Sequence, residues 1–169
     1  RPDPARARAL AREAGYSGQT IRFMTTQQFD FHYKMSLVAA ENMRAAGFTV
    51  DLQVLDWATQ LQRRPDGQLW DMFFTHGPIL PEPTLYSFFS SAAPGWWSTP
   101  ARNQAVAAFS AESNPQRRAE LWGDVQRLIY SEVPIIKIGN FNALAARARA
   151  LQGVQPAPWP FFWNTWLQN

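Results

Sequence analysis

Residues 48–54 constrain this chain more than any other stretch. Phe48, Val50, Leu52 and Val54 alternate with Thr49, Asp51 and Gln53, a period of two that suits a strand with one buried and one polar face. What flanks it fixes the class. Upstream, residues 20–25 alternate as a strand, and Asp30 caps a helical pattern to about Ala46. That pattern places Met35, Val38, Ala39 and Met43 on one face, with Gly47 as its stop. Downstream, Asp56 caps a short helix through about Arg63, Pro65-Asp66-Gly67 turns the chain, and residues 70–75 read as a short buried strand. The order strand–helix–strand–helix–strand predicts an α/β fold with a mostly parallel or mixed sheet flanked by helices.

The remaining text is less regular. Asp3-Pro4 opens a helix that Gly15 ends, and His76 to Pro83 is too rich in proline for regular structure. Helical stretches follow near 82–90 and 101–111. Asn114-Pro115 opens the longest helix, with Leu121, Val125, Leu128 and Ile129 along one side. Pro134 marks its end and begins a further strand through Ile135, Ile136 and Ile138. We read residues 1–150 as one α/β unit and 151–169 as an aromatic tail. Trp159, Phe161, Phe162, Trp163 and Trp166 would not stay wet on a surface tail, so the tail closes this core or packs on something else.

Composition removes several functions. The net charge is +3, but Arg1, Arg6, Arg8 and Arg12 against Asp3 account for all of it, so the body carries no basic stripe for nucleic acid. Arg117-Arg118, Arg147 and Arg149 read as solvated faces. Cysteine is absent, which excludes disulfides, thiolate metal sites and cysteine nucleophiles. The longest apolar run is Ala105 to Phe109, far short of the roughly 18 residues of a membrane helix. No export leader is visible at the amino end. His32 and His76 are the only histidines, and no serine sits in a Gly-x-Ser-x-Gly turn. There is no phosphate-cradling glycine motif either. Asp51, Asp56 and Asp71 read as strand-face, cap and strand-start residues. The expectation is a binding protein without catalysis, cofactor or metal.

In a parallel sheet the loops after the strands meet at one edge, and ligands bind there. That places Thr25, Thr26, Gln27, Trp57, His76, Gly77, Pro78, Ile79 and Asn140 at a candidate site, with Trp96 and Trp97 in a Gly/Pro-flanked loop. Aromatic rings with amide and hydroxyl groups suit a small polar organic ligand. Proline at 78, 81 and 83 stiffens the 76–81 loop, whose amides at Gly77, Ile79 and Leu80 are expected to face the ligand. Trp57 and Trp70 read rather as core.

Several of these segments resemble, in order, the carboxy-terminal lobe of the extracytoplasmic solute-binding proteins of family 5. They are Asp3-Pro4-Ala5 through Ala14-Gly15-Tyr16, then Ala45-Ala46-Gly47-Phe48 with Val50, and Asp56-Trp57 with Thr59 and Leu61. Trp70-Asp71-Met72, Pro81-Glu82-Pro83, and Arg117 with Leu121, Val125 and Ile129 through Val133-Pro134-Ile135-Ile136 complete the series. The resemblance implies one lobe of a two-lobed, type II periplasmic-binding fold, with the export signal and the first lobe in an absent amino-terminal part. It implies a periplasmic substrate-binding component of an ATP-driven importer. Its partners would be a small-molecule or peptide ligand, the missing amino-terminal lobe and the membrane permease subunits, with no nucleic acid. The tail would return toward the first lobe.

The departures bear on the ligand. Where family members that grip peptide amino termini carry an Asp, this chain has Ile79. The loop after the first strand is Thr25-Thr26-Gln27-Gln28, without the Arg that some members direct at a carboxylate, and Thr75-His76 stands where a Gly-Trp pair is common. A free dipeptide zwitterion would need both counter-charges from elsewhere. Peptide, sugar derivative, opine and nickel complex all stay open as cargo. Two rival classes remain at this point: a hydrolase-type domain using His76, and an interaction module docking through the aromatic tail.

Overall fold

The computed structural model describes residues 3–142, 144–157 and 161–168. The chain divides into two compact units. One comprises residues up to Gly77 with Ala92–Gly95, the other Pro78–Ser91 with the chain from Trp96 onward.

The first unit is built from α1 (Pro4–Glu13), β1 (Thr20–Thr26), α2 (Asp30–Ala45), β2 (Thr49–Leu55), α3 (Trp57–Arg63) and β3 (Met72–Phe73). Caps begin two of its helices: the Asp3 carboxylate accepts from the Arg6 amide, and Asp56 from Thr59. The three strands form one parallel sheet in the order β2-β1-β3, with Thr20 paired to Thr49 and Phe23 to Met72. The fold is thus the expected α/β class. As the middle strand, β1 is buried from Phe23 to Thr26, and Phe23, Ala40 and Val50 form the core with Met43, Phe48, Leu52, Met72 and Phe74 around them.

Three details differ from the sequence reading. Asp30 is the first residue of α2 rather than its cap, and its carboxylate pairs with Lys34 at 2.7 Å. The fully buried face of α2 is His32, Ser36 and Ala40, whereas Val38 is 62% exposed. Polar residues occupy that face because they find partners there: the Ser36 hydroxyl donates to Thr25 Oγ1 at 2.9 Å. The third strand spans only two residues, but its ends are fastened by side-chain chemistry. Asp71 accepts from Arg22 through the backbone amide (2.7 Å), Nε (3.0 Å) and Nη2 (2.9 Å), and Phe74 N–H donates to Met24 O. The Arg22 hydrogen bonds hold the Asp71 carboxyl below the usual carboxylate range. Asp71 is therefore a clasp between β1 and β3 and not just a strand start. Trp70 is core as read, with its indole N–H on Arg64 O.

The second unit contains two 3₁₀ turns, Pro83–Leu85 and Ser87–Phe89, where a helical stretch was expected. It continues with α4 (Pro100–Ala111) and α5 (Pro115–Glu132), capped by Thr99 and Asn114. Phe89, Trp97, Phe109 and Val125 make its core, with Trp122 and Leu128 packed around them. Arg118 corrects the reading of Arg117-Arg118 as a solvated face. Its guanidinium lies 3.9 Å from the Phe109 ring centroid, pairs with Glu82 at 2.7 Å and donates to Phe109 O. Arg117 remains at the surface, paired with Glu120.

The strand expected after Pro134 does not form. Val133 takes a left-handed φ of 49° at the end of α5, and Ile135, Ile136 and Ile138 follow at 37%, 70% and 50% exposure. An extended run becomes a strand only against a neighbour, and among the described residues none pairs with it. In the tail, β4 (Leu151–Gln152) and β5 (Trp166–Leu167) pair antiparallel. Trp159 lies outside the described residues. No described helix is long and apolar enough to cross a membrane.

Candidate functional site

All three strands of the first unit end at the same edge, so the chain leaving each of them delivers its side chains there. Leaving β1, Thr26 Oγ1 accepts from the Gln28 amide, and Gln28 Oε1 accepts from the Trp57 amide at 2.7 Å. That bond ties the loop after β1 to the start of α3. Thr26, Gln27, Gln28, Val54, Leu55 and Asp56 line a concavity of about 300 Å³. Val54, read as a buried strand residue, is 42% exposed because it opens onto this hollow. The Asp56 carboxyl is held below its usual range by the Thr59 hydroxyl and amide, so it is ionised and already engaged as a cap.

Beside the hollow stands an imidazole pair. His32, on the buried face of α2, is fully enclosed, and its Nε2 lies 2.8 Å from Nδ1 of the exposed His76, just beyond β3. Phe29, Phe31 and Phe74 bring their ring centroids within 4.7–5.0 Å of His32, and Trp57 stands at 5.8 Å. His76 is 5.0 Å from Phe29 and 6.5 Å from Trp57. Burial, with His76 adding to it, pushes the His32 pKa down to about 4, so this ring is neutral at neutral pH. Its Nδ1 is buried with no hydrogen-bond partner.

The structure thus brings Gln27, Trp57 and His76 to one edge, with Thr26 there too but fully buried. Thr25 is sealed under α2, bonded to Ser36. Gly77 closes the first unit. Pro78 and Ile79 belong to the second, where Ile79 is 70% exposed, and the Leu80 amide, expected to face a ligand, donates instead to Tyr86 Oη at 3.0 Å. Trp96 and Trp97 part company: Trp96 is 43% exposed, while Trp97 is core, its indole N–H on Glu132 Oε2 at 2.6 Å. Asn140 is exposed in the second unit. Sequence reasoning missed Phe29, Phe31, His32 and Phe74 as one cluster with His76. The spacing of His32, Ser36 and Ala40, one helical turn apart each, carried the signal for His32. Among the described residues, no three His, Asp or Glu side chains are grouped to hold a metal ion.

A family model for the bacterial extracellular solute-binding proteins, family 5 Middle, matches residues 1–96. A probable peptide ABC transporter periplasmic-binding protein from Sinorhizobium fredii is 27% identical over 96% of this chain and 33% of its own length. Among solved structures, the dipeptide-binding protein from a Pseudoalteromonas species in complex with Met-Leu superposes with a TM-score of 0.73. It is 18% identical, over 98% of this chain and 36% of that one. A solute-binding protein from A. tumefaciens in complex with mannopinic acid gives 0.64 at 24% identity, over 78% of this chain and 29% of that one. The chain spans about a third of the length of these relatives. At such identities the structural likeness establishes the fold, that of type II periplasmic binding proteins.

Proposed function

Because the chain belongs to the bacterial extracellular solute-binding proteins of family 5, we propose that it is one ligand-gripping lobe of the substrate-binding component of an ATP-driven importer. The lobe works in the periplasm on a small polar organic solute, a peptide or related compound. It closes on that solute with an amino-terminal lobe and presents the closed form to the permease subunits. Closure needs no chemistry: a ligand that touches both lobes stabilises the closed state by its extra contacts there. Residues 1–150 serve as the lobe, and the tail from 151 returns toward the first lobe.

The observation that carries this reading is the edge itself. Three parallel strands deliver Gln27, Trp57 and His76 to one place, a surface of rings and an amide suited to stacking and neutral hydrogen bonds, with Thr26 buried at the end of β1. It favours binding over the hydrolase alternative, because the Nδ1 of His76 meets a neutral imidazole where a general base would be oriented by a carboxylate. Gly77 is proposed as a further contact in the first unit, and Pro78, Ile79, Trp96 and Asn140 as ligand contacts of the second. Native mass spectrometry of the full-length protein from its own host tests the function. A co-purified organic solute, lost on Trp57→Ala with His76→Ala, is expected. A solute-free protein that hydrolyses ester or amide substrates would overturn the reading.

A further inference from the structure

The imidazole pair has a property that neither ring has alone. Between two facing ring nitrogens 2.8 Å apart there is room for one proton, so the tautomers of the two rings are coupled. In one arrangement His32 Nε2–H donates to His76 Nδ1. His76 then carries its own proton on Nε2, and His32 Nδ1 is a bare lone pair. In the other, His76 Nδ1–H donates to His32 Nε2, which forces a proton onto His32 Nδ1 and leaves His76 Nε2 bare. That nitrogen of His32 is buried without a partner, so the second arrangement strands an N–H donor among aromatic rings. The first strands only a lone pair, and a buried acceptor left unpaired is commoner in proteins than an orphaned N–H donor. It also puts both rings in the Nε2–H form, the commoner tautomer of histidine in water. A doubly protonated His32 is excluded near neutral pH by its enclosure.

We propose that buried His32 fixes exposed His76 as a hydrogen-bond donor through Nε2, so that the part of the cargo meeting this lobe is an oxygen acceptor, a carbonyl or carboxylate, and not an ammonium. This deepens the solute-binding reading and rests on it for the word cargo, whereas the tautomer itself does not. His32 is the positioning residue and His76 the specificity-determining one. Trp57 and Phe29 flank the His76 ring and limit its rotation. A lone surface histidine would exchange between donor and acceptor forms and so discriminate poorly. The pairing removes that freedom.

The test is side-chain nitrogen NMR on the ligand-free full-length protein labelled at histidine, near neutral pH. His76 and His32 are both expected in the Nε2–H form, and His32→Leu should return His76 to exchange between tautomers. A His76 resonance in the Nδ1–H form, or one unaffected by His32→Leu, overturns the proposal. Acetamide, acetate and methylammonium then serve as fragment probes. Acetamide and acetate should shift His76 Nε2–H and methylammonium should not, and the preference should vanish in His32→Leu. Shifts from methylammonium, or from none of the three, refute the specificity claim. A protein that holds the tautomer and prefers acceptors but carries no solute in its host keeps this inference and loses the importer reading, so the two failures are distinguishable.

Discussion

Acidification should destabilise the first unit through one side chain. His32 is fully enclosed, and its Nδ1 has no acceptor, so its imidazolium would be a buried charge with one N–H unsatisfied. The folded pKa is about 4 against an ordinary value of 6.5. The unfolded chain therefore binds the proton first as pH falls, and protonation pulls toward unfolding. The stabilising effect of a neutral His32 is complete above 6.5, declines between 6.5 and 4, and does not change below that. The full span of the shift corresponds to at most about 3 kcal/mol. Urea unfolding of the full-length protein at about pH 7 and about pH 4.5, wild type against His32→Leu, isolates it. The Asp56 and Asp71 carboxyls, held below their usual range, add stability that is lost only as pH falls below about 4, and they cancel in the comparison. Wild type should lose roughly 2–3 kcal/mol more than the variant over this window. An equal loss in both proteins would show that His32 is not the group responsible.

Asp71→Ala should cost about 1–2 kcal/mol in urea unfolding, because it removes the acceptor for three Arg22 donors that fasten β3 to β1. Asp71→Asn should recover part of that loss. Gly153→Ala should open the tail ladder: a Cβ there would sit 2.0 Å from Asn164 O, and the φ of 75° is already unfavourable for alanine. Faster amide exchange at Gln168, whose N–H donates to Ala150 O, would report it. Ile79→Asp in the full-length protein should weaken the native solute by about 1–3 kcal/mol in calorimetry if the new carboxylate meets the ligand unpaired. Unchanged affinity would remove Ile79 from the site.

The parallel core was legible because its signals are local. The alternation from Phe48 to Val54 and the caps at Asp3, Asp56 and Asn114 act within a few residues of sequence, and each stands where expected. What escaped was decided by partners far along the chain. Val38 looked as apolar as Met43, yet α2 turns Ser36 and His32 inward, where Thr25 bonds the Ser36 hydroxyl and His76 bonds one of the two His32 nitrogens. Arg118 looked like its neighbour Arg117 until Glu82 and Phe109 claimed it. The Ile135–Ile138 run has the composition of a strand, but strand formation is a property of a pair. At the candidate site, Trp57 and His76 were legible from their place after strands. Their aromatic surroundings were not, because Phe29, Phe31 and Phe74 reach them from separate segments.

The uncovered run after α5 also sets how this polypeptide must be handled before it binds anything. Ile135, Ile136 and Ile138 present β-branched side chains and unpaired backbone to solvent, the composition from which intermolecular sheets nucleate. Lys137 interrupts that run, and a charge inside such a window acts as a gatekeeper against stacking of identical copies. Replacing Lys137 with valine would leave every described hydrogen bond and ion pair in place, yet it should drive the chain into inclusion bodies during expression. At this position solubility depends on a side chain that contributes nothing to the folded core.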